Sequence, residues 1–132
     1  MDLKQRMLAT VRPDGGPRVH PLCPIVLDGD LYVRVEEGPK QRDLLRDGRY
    51  ALHCFPPAAN EDAFYCTGTA TPVEDPTAVD AAFWAERDVS GPPEGVHDGS
   101  RTFVLDVETV LLTRTTGHGD WHPQHTVWHA QD

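Results

Sequence analysis

Four basic side chains in the first third of the chain stand beside predicted turns and at the ends of predicted elements: Arg18, Arg34, Lys40 and Arg42. Lys40 and Arg42 lie in the first turn of a helix that we expect to begin at Pro39. Such a helix start offers free N–H groups and the positive end of the helix dipole, so an anion bound there would also meet the adjacent cations. The spacing therefore predicts a phosphate clamp.

A simpler interpretation makes the same cations solvated charges on the surface of the helix. Lys40 and Arg42 would then pair with Asp43 or Asp47, which follow on the same predicted helix. Surface Lys and Arg are usually of this kind. The residues alone leave both interpretations open.

Four histidines in the last fifteen residues are spaced 4, 3 and 4 apart: His118, His122, His125 and His129. On one helical face this spacing would suggest a metal site. Gly117, Gly119 and Pro123 interrupt any helix there, and on a strand the first three would not share a face. His20 and Cys23 form another pair without further ligands at a diagnostic spacing. We therefore predict no metal site.

The sequence contains no motif for nucleophilic catalysis or for a phosphate-binding loop. It has no Gly-x-Ser-x-Gly elbow and no glycine-rich loop that ends in Gly-Lys-Ser or Gly-Lys-Thr. Hydrolase and nucleotidase functions therefore lack support, and the catalytic residues stay unknown.

Composition narrows the class of protein. The 132 residues include 12 Lys and Arg against 21 Asp and Glu, a net charge of −9 that argues against nucleic-acid binding. Nine of the basic residues fall in residues 1–52, so an anionic ligand would be bound mainly by that half.

No apolar run is long enough for a membrane helix, and no secretory signal begins the chain. We expect a cytoplasmic protein with three reduced cysteines and a single domain over residues 1–132.

Turns and alternating residues dominate the first third. Asp14-Gly15-Gly16 and Asp28-Gly29 separate three apolar runs, at residues 7–12, 18–26 and 31–35. Asp-Gly between such runs is a strong hairpin signal, which predicts a three-stranded antiparallel meander. Pro17 just before the second run and Pro21 and Pro24 within it indicate an edge strand, a bulge or a bend.

A helix over about 39–47 and a hairpin follow. Residues 49–55 and 63–73 read as two strands joined by the polar loop 56–62. If this loop is symmetric about residue 60, Cys54 and Cys66 lie opposite each other on neighbouring strands. We assign these two cysteines no function.

The remaining elements complete a mainly β protein. Asp75-Pro76 predicts the start of a helix over about 76–88, residues 102–107 and 109–113 read as two strands, and a last strand ends near residues 126–128. The order βββ-α-ββ-α-βββ, with hairpin links, favours a small closed or partly split antiparallel barrel whose openings are capped by helices.

Several segments, in this order and spacing, resemble the pyridoxamine 5′-phosphate oxidase-like family, closest to its actinobacterial flavin- and deazaflavin-dependent members. They are residues 7–19, 38–44, 48–53, 64–70 and 110–114. The resemblance runs over nearly the whole chain. It implies an antiparallel split β-barrel of six to eight strands, and a homodimer with two cofactor sites at the subunit interface.

The resemblance also implies roles for particular residues. The flavin phosphate would be held by Arg18 on the second strand and by Lys40 and Arg42 at the helix start. The strand around Tyr32, Val33 and Arg34 would lie along the isoalloxazine and ribityl parts. Trp128, contributed by the partner subunit, would stand near the ring. Apart from the resemblance, if the protein is an oxidoreductase, His20 or His53 would donate a proton or a hydrogen bond, or either would be a satisfied histidine of its strand.

Two departures from the family pattern argue against oxidation of pyridoxamine phosphate itself. Oxidases with that substrate carry a lysine a few residues after the second-strand arginine, where this chain has Pro21, Leu22 and Cys23. They also end in a basic substrate motif, where this tail, residues 121–129, contains tryptophan and histidine.

Three hypotheses for function stay open. In the first, the protein is an oxidoreductase that uses FMN or a deazaflavin coenzyme to pass hydride to or from a small organic substrate. In the second, it is a non-catalytic dimer that binds or sequesters a flavin. In the third, it is a degenerate split barrel without a cofactor, and Arg18 and Lys40 are ordinary surface charges.

Overall fold

A computed structural model describes residues 6–54, 62–95, 99–117 and 119–131. Within these residues the protein is mainly β, with eight strands and two helices. In chain order the elements are β1 (Arg6–Val11), β2 (Pro17–Leu22), β3 (Ile25–Leu27), β4 (Asp30–Val35), α1 (Pro39–Arg46), β5 (Arg49–Cys54), β6 (Ala63–Pro72), α2 (Thr77–Ala85), β7 (Arg101–Arg114) and β8 (Gln124–His129).

The eight strands form one antiparallel sheet that curls into a half-barrel. Its strand order is β2-β1-β5-β6-β7-β4-β3. The long strand β7 carries two partners on one edge: its first half pairs with β4, and its second half pairs with β8. The expectation of a mainly β, antiparallel split barrel with short helices is confirmed.

Alternating side chains of the strands fill the interior. In β1, for example, Arg6, Leu8 and Thr10 are buried, whereas Met7, Ala9 and Val11 face outward and are half-buried. The buried apolar cluster consists of Leu8, Val33, Val35, Leu44, Tyr50, Leu52, Cys66, Ala70, Phe103 and Leu105. Leu44 is the member from α1, so this helix is held to the sheet by burial of its apolar side.

The three-stranded meander is wrong. The predicted second strand, 18–26, breaks after Leu22, and the chain resumes as β3 at Ile25. Pro24 has no N–H for a ladder and restricts the backbone of Cys23 before it. The chain therefore forms two separate hairpins, β1–β2 and β3–β4, whose outer strands β2 and β3 end the sheet path. The prediction that prolines place this segment at an edge or bend is confirmed.

The β5–β6 hairpin is confirmed, but its register differs from the predicted one. Cys54 pairs with Phe64, and Cys66 pairs with Leu52. The loop is therefore centred on residue 59, and the two cysteines are not directly opposite each other. Most of that loop, residues 55–61, lies outside the described residues.

The two strands predicted at 102–107 and 109–113 are one strand, β7, with a bulge. Thr67 pairs with Thr109 and Gly68 with Val107, so Glu108 is the extra residue. A Cβ atom on Gly68 would overlap the carbonyl oxygen of Asp106, so the strands approach most closely here because Gly68 has no side chain. The bulge lets one strand continue past β4 and pair with β8.

Both predicted helices are confirmed, with α1 ending one residue early and α2 shorter at both ends. Pro39 occupies the first turn of α1, as its fixed φ and missing N–H favour. Among the described residues, no helix has the length and apolar character needed to cross a membrane.

Candidate functional site

Arg18 and Asp43 form an ion pair between β2 and α1. The Nε of Arg18 donates a hydrogen bond to Oδ2 of Asp43 at 2.7 Å. The side chain of Asp43 is 2% exposed and that of Arg18 is 24% exposed. Within the described part of the chain, the terminal Nη1 and Nη2 atoms of Arg18 make no hydrogen bond. Asp43 thus binds the Nε of Arg18 and leaves the terminal Nη1 and Nη2 atoms available to a ligand.

Asp43 is the centre of a small polar network. Thr10 donates to Oδ2 at 2.8 Å, and Nη2 of Arg46 donates to Oδ1 at 3.0 Å. Burial of the carboxyl opposes its ionisation, but hydrogen bonds from Arg18, Thr10 and Arg46 outweigh burial and hold the pKa of Asp43 below its ordinary value. Asp43 is therefore a carboxylate at neutral pH.

His20 lies on the same face of β2 as Arg18, two residues further along. Its Nε2 atom is buried and has no hydrogen-bond partner within the described residues. Burial, and then the positive charges of Lys40 and Arg18, lower the pKa of His20, and the Asp43 carboxylate opposes them only in part. His20 is therefore neutral at pH 7.

Gln41 fixes the start of α1, where Lys40 lies. The buried amide of Gln41 donates to the carbonyl oxygens of Val35 and Gly99, both at 3.0 Å. These bonds tie the helix start to the end of β4 and to the approach to β7. The charge of Lys40 acts on His20, so the fold brings Lys40 to the Arg18 side of the sheet.

Lys40 and Arg42 form no ion pair within the residues that the structure describes. The pairing with Asp43 or Asp47 that the simpler interpretation expects is wrong, because Asp43 binds Arg18 and Arg46, and Asp47 binds Arg49. Whether Lys40 and Arg42 are solvated surface charges stays open. Arg42 is exposed, and in the described part of the chain it makes no hydrogen bond or ion pair with His20 or Arg18.

These groups make a cluster of positive charge in an acidic protein. Arg18, Lys40 and Arg46 carry three positive charges and Asp43 carries one negative charge, which leaves +2 when His20 is neutral. We call Arg18, His20, Lys40, Asp43 and Arg46 the cationic cluster. Its free guanidinium nitrogens and ammonium group are donors of the kind that bind a phosphate dianion.

The side chains of the β4 residues do not join the cationic cluster. Val33 is fully buried in the core, so only its backbone is able to face a ligand. The guanidinium of Arg34 lies 5.1 Å and 5.0 Å from the ring centroids of Phe83 and Trp84 on α2, and its Nε is 3.7 Å from Asp80. The side chain of Arg34 therefore contacts α2 and helps to hold this helix against β4. Tyr32, which precedes both residues on β4, is half-buried.

Trp128 lies five strand steps along the sheet from His20 of the cationic cluster within one chain. Six residues pair in one row across the sheet: His20, Leu8, Leu52, Cys66, Val110 and Trp128. The row places His20 and Trp128 on the outermost two of six neighbouring strands, with a spacing of about 4.8 Å per step along the sheet. Trp128 is 51% exposed, so it is open to contact by another molecule.

The predicted histidine positions separate in the structure. His53 is exposed and lies on the outer face of β5, the face opposite to that of His20. His118 lies outside the described residues. His125 bonds Thr113 through Nδ1 at 2.9 Å, and no group of three or more potential metal ligands occurs in the described parts of the chain.

A cleft of about 260 Å³ opens between the β1–β2 turn and the start of β5. Ala9, Val11 and Ala51 line it together with the turn glycines, and Arg49 stands at its edge. Arg49 makes two close hydrogen bonds to Asp47, at 3.0 Å and 2.7 Å, and these lower the pKa of Asp47 to about 2. This cleft contains no residue of the cationic cluster.

Sequence reasoning missed Asp43 and Thr10 as parts of the site. Asp43 shares the buried side of α1 with Gln41 and Leu44. A carboxylate next to an apolar anchor is a usable signal, because a buried carboxylate needs cationic partners. The partner itself, Arg18, is 25 residues away and is identified only by the fold.

Comparison with solved structures gives the same fold at low sequence identity. A pyridoxamine 5′-phosphate oxidase-related, FMN-binding protein from Nostoc punctiforme has a TM-score of 0.75 and 16% identity, covering 98% of this chain and 82% of that one. General stress protein 26 from Bacillus anthracis has a TM-score of 0.65 and 22% identity, covering 84% of both chains. A heme-binding protein from Mycobacterium smegmatis has a TM-score of 0.66 and 20% identity, covering 94% of this chain and 53% of that one.

Comparison with curated proteins returns no match. The family model described as pyridoxamine 5′-phosphate oxidase matches residues 3–114, which span both helices and most of the sheet. This match includes every member of the cationic cluster. The chain therefore belongs to the pyridoxamine 5′-phosphate oxidase family.

Proposed function

We propose that the protein binds a flavin-type cofactor, FMN or a deazaflavin coenzyme, and acts as an oxidoreductase on a small organic substrate. The observation that carries this proposal is the arrangement of Arg18, whose terminal nitrogens are free while Asp43 holds its Nε. The FMN-binding relative from Nostoc punctiforme supports a flavin in this fold.

The residues present fit a phosphate group. A phosphate monoester carries close to two negative charges at pH 7, as a phosphoserine does, and the cationic cluster carries +2. Arg18 would donate through Nη1 and Nη2, and Lys40 through Nζ, while the buried Nε2 of His20 lacks a partner. Arg42, exposed at the same helix start, would act only through its charge.

The ring would lie along β4 and against a second subunit. Tyr32 and the backbone of Val33 and Arg34 would line one side, because the side chains of the latter two are engaged in the core and on α2. Trp128 would reach the ring from the partner subunit, since five strand steps separate it from His20 in its own chain.

When bound, the flavin ring supplies the hydride chemistry. The chain's own residues bind and orient: Arg18 and Lys40 fix the phosphate end, and Asp43 fixes Arg18. His20 belongs to the phosphate end and His53 to the opposite face of the sheet, so we assign neither the role of proton donor at the ring. The catalytic side chains stay unassigned.

The outer face of the sheet supports a homodimer. Two adjacent rows of paired residues cross six strands there: Val19, Ala9, Ala51, Thr67, Thr109 and His129 in one, and Pro21, Met7, His53, Tyr65, Leu111 and Val127 in the other. None of these residues is Asp, Glu, Lys or Arg, although a quarter of the chain is charged. Depletion of charge is typical of the core of an interface, and we propose that a second copy covers this face.

Equilibrium binding of FMN and of the deazaflavin coenzyme to the purified protein tests the proposal. We expect micromolar or tighter affinity for one of them, and a loss of at least tenfold in the double variant Arg18→Ala, Lys40→Ala. Arg114→Ala is the matched control, because it removes an exposed positive charge at the far end of β7. Unchanged affinity in the double variant would refute the phosphate clamp.

Turnover separates an oxidoreductase from a carrier. We expect bound flavin to be reduced by NADPH, or bound deazaflavin to be reoxidised, faster than the free cofactor. Equal rates would leave a flavin-binding protein without activity of its own. Absence of binding to either cofactor would favour the degenerate barrel.

A further inference from the structure

His20 holds a polar atom that nothing in the described protein satisfies. Its Nε2 is buried and has no hydrogen-bond partner there. A buried nitrogen without a partner destabilises a protein, and most such atoms in native structures are satisfied by protein, water or ligand. Arg18 lies on the same face of β2, and the charges of Lys40 and Arg18 both act on this imidazole, which indicates what would satisfy it.

Each element around His20 contributes a known group. Arg18 precedes His20 by two residues on β2. Helix α1 carries Lys40 and Asp43, whose charges act on His20. On β1, Leu8 lies directly opposite, with Arg6 and Thr10 next to it on the same face. The local charge is positive, so these groups favour a ligand that is a negatively charged hydrogen-bond acceptor.

We infer that His20 is a ligand of the phosphate that Arg18 and Lys40 bind, and that His20 takes up a proton from solvent when this phosphate binds. This inference rests on the proposed function. The protonated imidazole donates through Nε2 to a phosphate oxygen, and no covalent bond changes. In the free protein the charges of Arg18 and Lys40 oppose protonation of His20. The bound dianion offsets these charges and itself attracts a protonated imidazole, so protonation becomes favourable.

The sign of the resulting pH dependence follows from linkage. In the free protein the pKa of His20 lies below its ordinary value, because of burial and of Lys40 and Arg18. In the complex the adjacent dianion raises this pKa. The contribution of His20 to affinity is therefore complete below the free-state pKa and is lost as the pH rises through the bound-state pKa. Each unit between the two pKa values corresponds to a tenfold change in affinity.

Proton NMR of the histidine ring protons, with FMN as the probe, measures both pKa values directly. The variant His20→Gln assigns the His20 signal among the seven histidines of the chain. We expect the pKa of His20 to rise by at least one unit when FMN binds, and to stay unchanged with riboflavin, which lacks the phosphate. Calorimetry in two buffers of different ionisation enthalpy counts the protons taken up.

Two variants separate the hydrogen bond from the charge. His20→Gln keeps an N–H donor near the position of Nε2 and does not titrate, so it should bind FMN but lose the proton uptake due to His20. Any proton exchange that remains belongs to other groups, chiefly the FMN phosphate, which releases protons because the cations favour its dianion. His20→Leu keeps the apolar packing without a donor, so it should fold normally by circular dichroism and bind FMN at least fivefold more weakly.

The outcomes distinguish the two proposals. If FMN binds and neither the His20 pKa nor the affinity of His20→Leu changes, the inference is wrong and the proposed function stands. If riboflavin raises the His20 pKa as much as FMN does, His20 is not at the phosphate and the inference is again wrong. If FMN and the deazaflavin coenzyme both fail to bind, the inference and the proposed function fail together.

Discussion

The carboxylate of Asp43 holds the guanidinium of Arg18 by its Nε, at 2.7 Å, from the helix that lies behind the strand. The pair joins the first helix to an edge strand and orients the two free nitrogens of Arg18. A buried acid in α1 thus sets the position of the cation on which the proposed site depends.

Replacing Asp43 with Asn should weaken both the fold and ligand binding. The Asn side chain keeps the shape of Asp43 but gives Arg18 and Arg46 no negative charge, so a buried charged network is lost. We expect a loss of about 1–3 kcal/mol in the free energy of unfolding, measured with urea. Asp47→Asn, at a half-buried position just after the same helix, should cost clearly less. Equal losses in the two variants would argue against a central role for Asp43.

The same carboxylate should make stability depend on pH in the acid range. The pKa of Asp43 is held below its ordinary value, so its contribution is complete above the unfolded-state pKa of about 3.9 and is lost as pH falls through the folded-state pKa. Unfolding of the wild type and of Asp43→Asn between pH 6 and pH 2.5 measures this effect. The difference between the two proteins should shrink on acidification, and a constant difference would contradict the assignment.

Gly68 should be intolerant of any side chain. An alanine Cβ would overlap the carbonyl oxygen of Asp106 at the bulge, so Gly68→Ala should lower the free energy of unfolding by about 1–3 kcal/mol or more. Gly91→Ala is the control, because a Cβ there meets no atom within 4 Å. Thermal melting of both variants is the measurement, and similar melting temperatures would refute the close approach.

Arg34 should act on α2 and hardly on the phosphate. Its guanidinium lies over the rings of Phe83 and Trp84, and such contacts contribute about 0.5–2 kcal/mol. Arg34→Ala should therefore shift the tryptophan fluorescence and lower stability, with FMN affinity changed less than twofold. A large loss of affinity would mean that the side chain reaches the ligand.

The outer face of the sheet should be sensitive to charge. Val127 is 57% exposed in the uncharged rows, and Val127→Asp would place a carboxylate in the proposed subunit interface. We expect sedimentation to show a dimer for the wild type and a monomer for this variant. Val89→Asp, in the exposed loop after α2, is the matched control and should stay dimeric. A wild-type monomer would refute the dimer.

Local signals in the sequence were enough for most elements. Asp-Gly turns, Pro39, Pro76 and the alternating apolar residues predict both helices and the β5–β6 hairpin, because turns, caps and periodicity act within a few residues. The cations Arg18 and Lys40 were found in the same way. The segments at 7–19 and 38–44 carried the family resemblance.

Only the tertiary structure decided which elements are neighbours. Residues 18–26 could have paired with either adjacent run, and the break at Pro24 sends β2 and β3 to opposite ends of the sheet path. The single strand β7 likewise depends on Gly68 of another strand, which accommodates the bulge. Strand pairing is set by packing between distant segments, and local propensity carries little information about it.

The candidate site shows the same division. The types and spacing of the residues marked Arg18 and Lys40 as candidate phosphate ligands, but Asp43 looked like a surface acid of its own helix. The partner of Asp43, Arg18, lies 25 residues away in the sequence. Arg34 contacts the aromatic pair Phe83 and Trp84 on α2, which no sequence spacing predicts. A charge makes its contacts with whatever the fold brings within a few ångströms, so the sequence determined which charged groups exist and the tertiary structure determined which of them meet.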